Sequence, residues 1–197
     1  MEIKISIQGV TPLICNKFTD AAALSASSGT RSSAVGADRG TPISIATSKL
    51  YIGLGGNVMI PQPNILRCIV DGGLFHKAGK SKITTLKGSM LYSCFDIEGA
   101  EIPIIHSQPW KVDTRAVRIP STGGRILAHR PMFDDWRLDF VAHLDTSILA
   151  ERLLRDIVDD AGKRIGLGDF RPSTKGPYGR FNVVHWEEVP VALPLAA

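Results

Sequence analysis

Cysteine is scarce in this chain: Cys15, Cys68 and Cys94 are the three present, far apart and odd in number. No CxxC pair occurs, which excludes a disulfide framework and a zinc knuckle and leaves reduced thiols in or near a core. No uninterrupted apolar run approaches the ~20 residues of a membrane span, so no membrane partner is expected. The opening Met-Glu-Ile-Lys runs straight into an alternating pattern with no apolar signal core, and a cytoplasmic protein is expected. HExxH, GxSxG and paired Cys-His arrangements are missing too, so neither a metal nor a cofactor is expected. The 197 residues are 44% hydrophobic and 21% charged, ordinary for a single globular domain. A formal charge of +4 permits a polyanionic partner without requiring one.

Residues 2–8 alternate, with Ile3, Ile5 and Ile7 against Glu2, Lys4, Ser6 and Gln8, and predict a half-buried strand with one wet face. Residues 19–48 are rich in Ala, Ser, Gly and Thr, show no period, and read as a mobile excursion. Pro61 to Asp71 predicts a helix with a stripe of Ile65, Leu66, Ile69 and Val70, stopped by Gly72-Gly73. Residues 77–88, with Lys77, Lys80, Lys82 and Lys87, read as a basic loop, and 90–97 as a second strand.

Residues 106–131 carry Lys111, Arg115, Arg118, Arg125, His129 and Arg130 on two extended arms around Ser121-Thr122-Gly123-Gly124. That pattern predicts a protruding basic hairpin, offset only by Asp113. A third strand follows at 136–144, then a helix capped by Asp145 or Thr146 and closed by Gly162. A last strand is expected at 180–189. The order strand, helix, strand, strand, helix, strand predicts an α+β, ferredoxin-like (βαββαβ) antiparallel sheet with helices on one face. One domain spans 1–197, with long insertions at about 19–60 and 98–135.

Between the second helix and the last strand lies a glycine-rich loop. Gly166, Gly168, Gly176 and Gly179 allow close approach of the backbone to a bulky partner. Lys163, Arg164, Arg171, Lys175 and Arg180 surround them, and Phe170 and Tyr178 could stack on bases. These residues fit a phosphodiester cradle, and they also fit a tight helix-to-strand connection with solvated arginines. The helix-then-strand order excludes a dinucleotide fingerprint, which needs the reverse. The run from Gly73 to Lys80-Ser81 is no phosphate loop, because five residues rather than four separate Gly73 from Gly79 and a helix precedes it.

Helix, Gly-Leu-Gly, a gap, then Gly-Pro-Tyr-Gly entering a final strand resembles the glycine-rich loop of the RAMP superfamily, the CRISPR-associated RNA-binding proteins. The resemblance covers 136–189 best and the first strand and helix more loosely. The 106–131 hairpin resembles the thumb of the family's backbone subunits. Arg-Pro-Ser-Thr-Lys-Gly at 171–176 departs from the plainer family stretch, and the chain is short for a backbone subunit. A phage-borne relative would be equally compatible.

The resemblance implies a subunit that assembles side by side on single-stranded RNA, as a homo-oligomer or filament and with other effector subunits possible; some relatives cleave RNA with a histidine, but the missing catalytic motifs make a non-catalytic protein the expectation here. Its expected contacts are Lys111, Arg115, Arg118, Arg125, Arg130, Lys163, Arg164, Gly166, Gly168, Arg171, Lys175, Tyr178 and Arg180. Three readings stand beside it: a phage-type single-stranded DNA-binding or annealing protein, a metal-independent endoribonuclease with His76 as general base, and an assembly protein whose hairpin contacts protein. The pairs Asp134-Asp135, Asp159-Asp160 and Glu187-Glu188 read as solvated charge rather than magnesium ligands.

Overall fold

The computed structural model describes residues 1–19, 40–118 and 123–189. Most of the Ala/Ser/Gly-rich excursion and half of the turn expected at 121–124 therefore lie outside the described residues.

The alternation at the N-terminus forms strand β1 (Glu2–Gly9), whose Ile3, Ile5 and Ile7 are 0–1% exposed. Burial of each contributes about 1.5–3 kcal/mol relative to leaving it in water. On one side β1 pairs antiparallel with β10 (Arg137–Leu144), on the other with β11 (Phe181–Val189). Strand β6 (Phe95–Ile97) adds beyond β10. Taken in chain order, these four strands lie fourth, first, third, second, and all neighbours are antiparallel.

Helix α2 (Gln62–Gly72) lays Ile65 and Ile69 into the core, and α4 (Glu151–Asp160) adds Leu154, Ile157 and Val158. They meet Leu138, Phe140, Ala142 and Leu144 in one apolar cluster. The other sheet face carries Lys4, Asp139 and His143 in water. Ser6 departs from the expected wet face: it is 4% exposed, and its hydroxyl accepts a bond of 3.1 Å from Arg137.

Several boundaries differ from expectation for local reasons. Helix α1 (Pro42–Ser48) falls inside the stretch that shows no period; Thr41 caps it, its hydroxyl accepting from Ser44 N–H at 3.3 Å, with proline in the first turn. The basic loop after α2 is a small ladder, β4 (Lys77–Ala78) with β5 (Ser81–Lys82), followed by buried Ile83 and Thr84. Gly72 belongs to α2, and a 3₁₀ turn, Gly73–Phe75, continues it. Residues 90–97 are not one strand. Leu91 and Cys94, both buried at helical spacing, make the single turn α3 (Leu91–Cys94) before β6.

Asp145 caps a turn rather than a helix, its Oδ1 accepting from the N–H and hydroxyl of Ser147 at 2.9 and 2.6 Å. Helix α4 starts only after Ala150. Gly162 does not close it. The chain continues through a wider helical turn, Ala161–Ile165, because Gly162 lets Phe181 pack directly on the backbone, and it stops at Gly166, where φ is 75°.

The basic hairpin consists of β8 (Lys111–Arg118) and β9 (Arg125–Phe133), paired from Lys111 opposite Met132 to Arg118 opposite Arg125. Strand β2 (Leu13–Ile14) adds to its root, with Leu13 opposite Phe133 and Ile14 opposite Met132. Two further strands, β3 (Met59–Pro61) and β7 (Glu101–Pro103), form a separate ribbon. No helix among the described residues is long and apolar enough to cross a membrane.

Candidate nucleic-acid interface

The glycine loop is stitched to the same short segment that carries β2. Asp169 N–H donates to the Ile14 carbonyl and Gly179 N–H to the Pro12 carbonyl, each at 2.8 Å. Gly168 sits at φ 74° so close to the Ile14 carbonyl that a Cβ there would overlap it. Because β2 also pairs with β9, the loop and the hairpin root form one continuous surface.

Charge locks this junction. Arg130 is 4% exposed, and its guanidinium donates to Asp113 at 2.9 Å and Asp169 at 2.8 Å. Asn16 adds a bond of 3.0 Å to Asp169. Arg115 donates from Nε to Asp113 at 2.6 Å and from its terminal nitrogen to the Tyr178 hydroxyl, and its guanidinium lies 4.6 Å from the Tyr178 ring centroid. The hydrogen bond to Asp113 is the main cause holding the Arg115 pKa above its usual value. Phe170 packs against Tyr178 with centroids 6.0 Å apart. Phe170 at φ 51° and Lys175 at φ 64° are the two non-glycine residues in the left-handed region among the described residues. Backbone strain is thus concentrated in this loop, as it often is where geometry serves function.

Beside the loop opens a polar cleft of about 260 Å³. Asn16, Asn64, Arg67 and Arg171 offer donors to it, Asp71 and Asp169 offer acceptors, and Gly166 and Gly168 offer backbone. Arg171 is held by its bond of 2.8 Å to the Gly168 carbonyl, and Arg67 by Asp71 at 2.9 Å. Cys15 and Cys68 line the cleft as neutral thiols: burial pushes the Cys15 pKa up to about 12 and raises that of Cys68 as well. Neither is an activated nucleophile.

The structure therefore brings Arg115, Arg130, Gly166, Gly168, Arg171 and Tyr178 together. Arg130 faces carboxylates rather than solvent. Arg118 and Arg125 lie opposite each other at the far end of the hairpin, both exposed. Lys111, at the hairpin root, pairs with Asp134 at 2.5 Å. Lys175 and Arg180 are exposed at the outer edge of the loop. Lys163 and Arg164 precede the loop, and Arg164 turns away to Asp160 and the Phe75 ring. Reading along the chain missed Asp169 and Asn16, whose roles depend on partners remote in sequence. It also missed Arg67 and Asn64 on α2, whose polar side the i, i+3 spacing could have pointed to.

His76 bonds through Nε2 to Asp160 Oδ2 at 3.0 Å and does not line the cleft. His129 bonds Thr114 at 2.8 Å. Two of the acidic pairs are engaged at both members, Asp134 by Lys111 and Asp135 by Ser107 and Gln8, Asp159 by Arg155 and Asp160 by His76 and Arg164, and in the third Glu187 meets Lys4 and His185. Among the described residues no group of three His, Cys, Asp or Glu side chains converges to hold a metal ion.

No protein-family model matches the chain, and no curated protein matches its sequence. Solved structures do match. One is a chain of the type III-B Cmr-beta structure, determined by cryo-EM with cognate target RNA bound, at a TM-score of 0.50 and 10% identity over 94% of this chain. This chain spans 59% of that one. Another is a chain of the type IV-B CRISPR complex, at a TM-score of 0.48 and 10% identity, covering 100% of this chain and 96% of the other. At such identity the likeness to the Cmr-beta chain is one of fold.

Proposed function

We propose that this protein is a non-catalytic, CRISPR-associated RNA-binding subunit of the RAMP type, a single ferredoxin-like domain with two insertions. It holds single-stranded RNA between the hairpin and the glycine loop and assembles side by side along the strand, alone or with other effector subunits, in the cytoplasm. The observation that carries this reading is the junction: the hairpin root, the glycine loop and the polar cleft share Asp169. A strand lying there would meet the edge donors of the cleft and the exposed cations Arg118, Arg125, Lys175 and Arg180 in succession. The fold likeness to a Cmr-beta chain whose structure holds RNA supports the same reading and favours RNA over DNA.

Phosphates would be met mostly by side-chain cations, so affinity would depend little on sequence and strongly on salt. Arg115 and Arg130 would act by positioning the loop, and Tyr178 and Phe170 by offering ring faces to bases. The non-catalytic part of the proposal rests on the place of His76, which lies outside the cleft lining where a strand would be held. Fluorescence polarisation of labelled single-stranded RNA at low and moderate salt tests the proposal, with DNA of the same sequence as competitor. Micromolar or tighter binding that weakens with salt and resists DNA competition is the expected result; no binding at micromolar protein sinks it.

A further inference from the structure

We propose that the lysine ladder at 77–82, with Phe75 and Arg164, is a second contact surface for single-stranded nucleic acid, taking phosphates on the lysines and stacking a base on Phe75. It rests on the nucleic-acid reading above and extends the path of the strand beyond the cleft.

Several surface cations come with carboxylates: Lys4 with Glu187, Arg137 with Asp139, Arg155 with Asp159. Lys77, Lys80 and Lys82 are exposed, and none has a carboxylate partner among the described residues. Lys77 stands directly opposite Lys82 in the ladder. Like charges facing each other across strands are destabilising, and a two-residue ladder has little hydrogen bonding to offset the repulsion. An anion between the lysines would relieve it.

The root of this ladder is fixed. Ile83, 1% exposed, donates its N–H to the His76 carbonyl at 3.2 Å, and Thr84 N–H reaches the Gly73 carbonyl at 3.3 Å. The lysines are therefore presented from a defined place.

Phe75 beside them is 46% exposed, a large apolar ring left in water. The Arg164 guanidinium lies 4.7 Å from its centroid. Asp160 holds that arrangement, binding Arg164 through one oxygen at 3.2 Å and His76 through the other at 3.0 Å. Asp160 makes its ion pairs with Arg164 and His76 and none with the lysines. An aromatic ring backed by arginine and flanked by unpaired lysines suits a nucleotide better than an acidic peptide, which would leave the ring unused. The surface also adjoins the cleft through the chain: α2 carries cleft residues Arg67 and Asp71 and runs straight into Phe75, while Gly166 follows closely on Arg164.

The test replaces Lys77, Lys80 and Lys82 together by alanine and titrates an RNA long enough to span both surfaces over a range of salt. The lysines are exposed, so the thermal melt should be unchanged. Removing three phosphate contacts should lower the slope of log K against log salt by about 2 and weaken binding roughly tenfold at moderate salt. An unchanged affinity and slope overturns the inference. Photo-crosslinking of 5-iodouridine RNA to the unsubstituted protein gives a second readout: a crosslink at Phe75 supports it, and crosslinks confined to the hairpin and glycine loop overturn it. The unsubstituted protein is titrated first. If it binds no RNA, the reading of the main interface fails; if it binds and the triple variant matches it, only this second surface fails.

Discussion

Two cross-strand pairs of the same hairpin make opposite use of arginine. At the root, Arg130 stands opposite Asp113, is buried, and is shared with Asp169; at the far end, Arg118 stands opposite Arg125, and both are exposed. The root pair is an internal tie. Its charge is spent within the protein, and its energy comes from leaving no carboxylate uncompensated. The far pair sets like charges opposite each other in water, an arrangement that fits the anion-binding surface proposed above. Within one hairpin, the position of the carboxylates separates the internal tie from the proposed binding surface.

The comparison breaks most readily at the root. Arg130→Met would leave buried Asp113 with Arg115 alone and Asp169 with Asn16 alone, and should cost about 2–4 kcal/mol in urea unfolding. A loss below about 1 kcal/mol would mean that Arg130 is not the tie described. Next comes Gly168→Ala, which places a Cβ against the Ile14 carbonyl at a positive φ; a loss of roughly 2–3 kcal/mol is expected by the same measurement. At the far end the pattern reverses. Arg118→Ala with Arg125→Ala should leave stability unchanged or slightly raised, weaken RNA binding roughly tenfold at moderate salt, and lower the salt slope by about 1.4. The mildest change is Tyr178→Phe, which removes the hydroxyl that Arg115 uses while keeping the ring; about 1 kcal/mol of stability should be lost, with stacking retained.

The periodic parts of this molecule were legible in the sequence. Alternation at 2–8 and 136–144, and the apolar residues Phe181, Val183, Val184 and Trp186, located three strands of the sheet, and the apolar stripes of α2 and α4 located the helices behind it, because each pattern is local. The glycine loop was legible as a close-approach segment for the same reason. Arg130 was not separable from Arg118 or Arg125, since all three sit on extended arms and the carboxylates that distinguish the first lie across the hairpin at Asp113 and 39 residues on at Asp169. Helix α1 was hidden because seven residues of Pro, Ile, Ser, Ala and Thr are too few to display a period, although Thr41-Pro42 is a cap signal. The ladder at 77–82 looked like loop because its order comes from Ile83 and Thr84 docking on the end of α2, not from its own residues.

The most direct test of the division between tie and binding surface is a salt titration of RNA affinity on the unsubstituted protein and the Arg118→Ala/Arg125→Ala variant, with urea melts of both. The account predicts equal melts and a weaker, less salt-sensitive complex for the variant. Equal affinity and equal slope in the two proteins would contradict it.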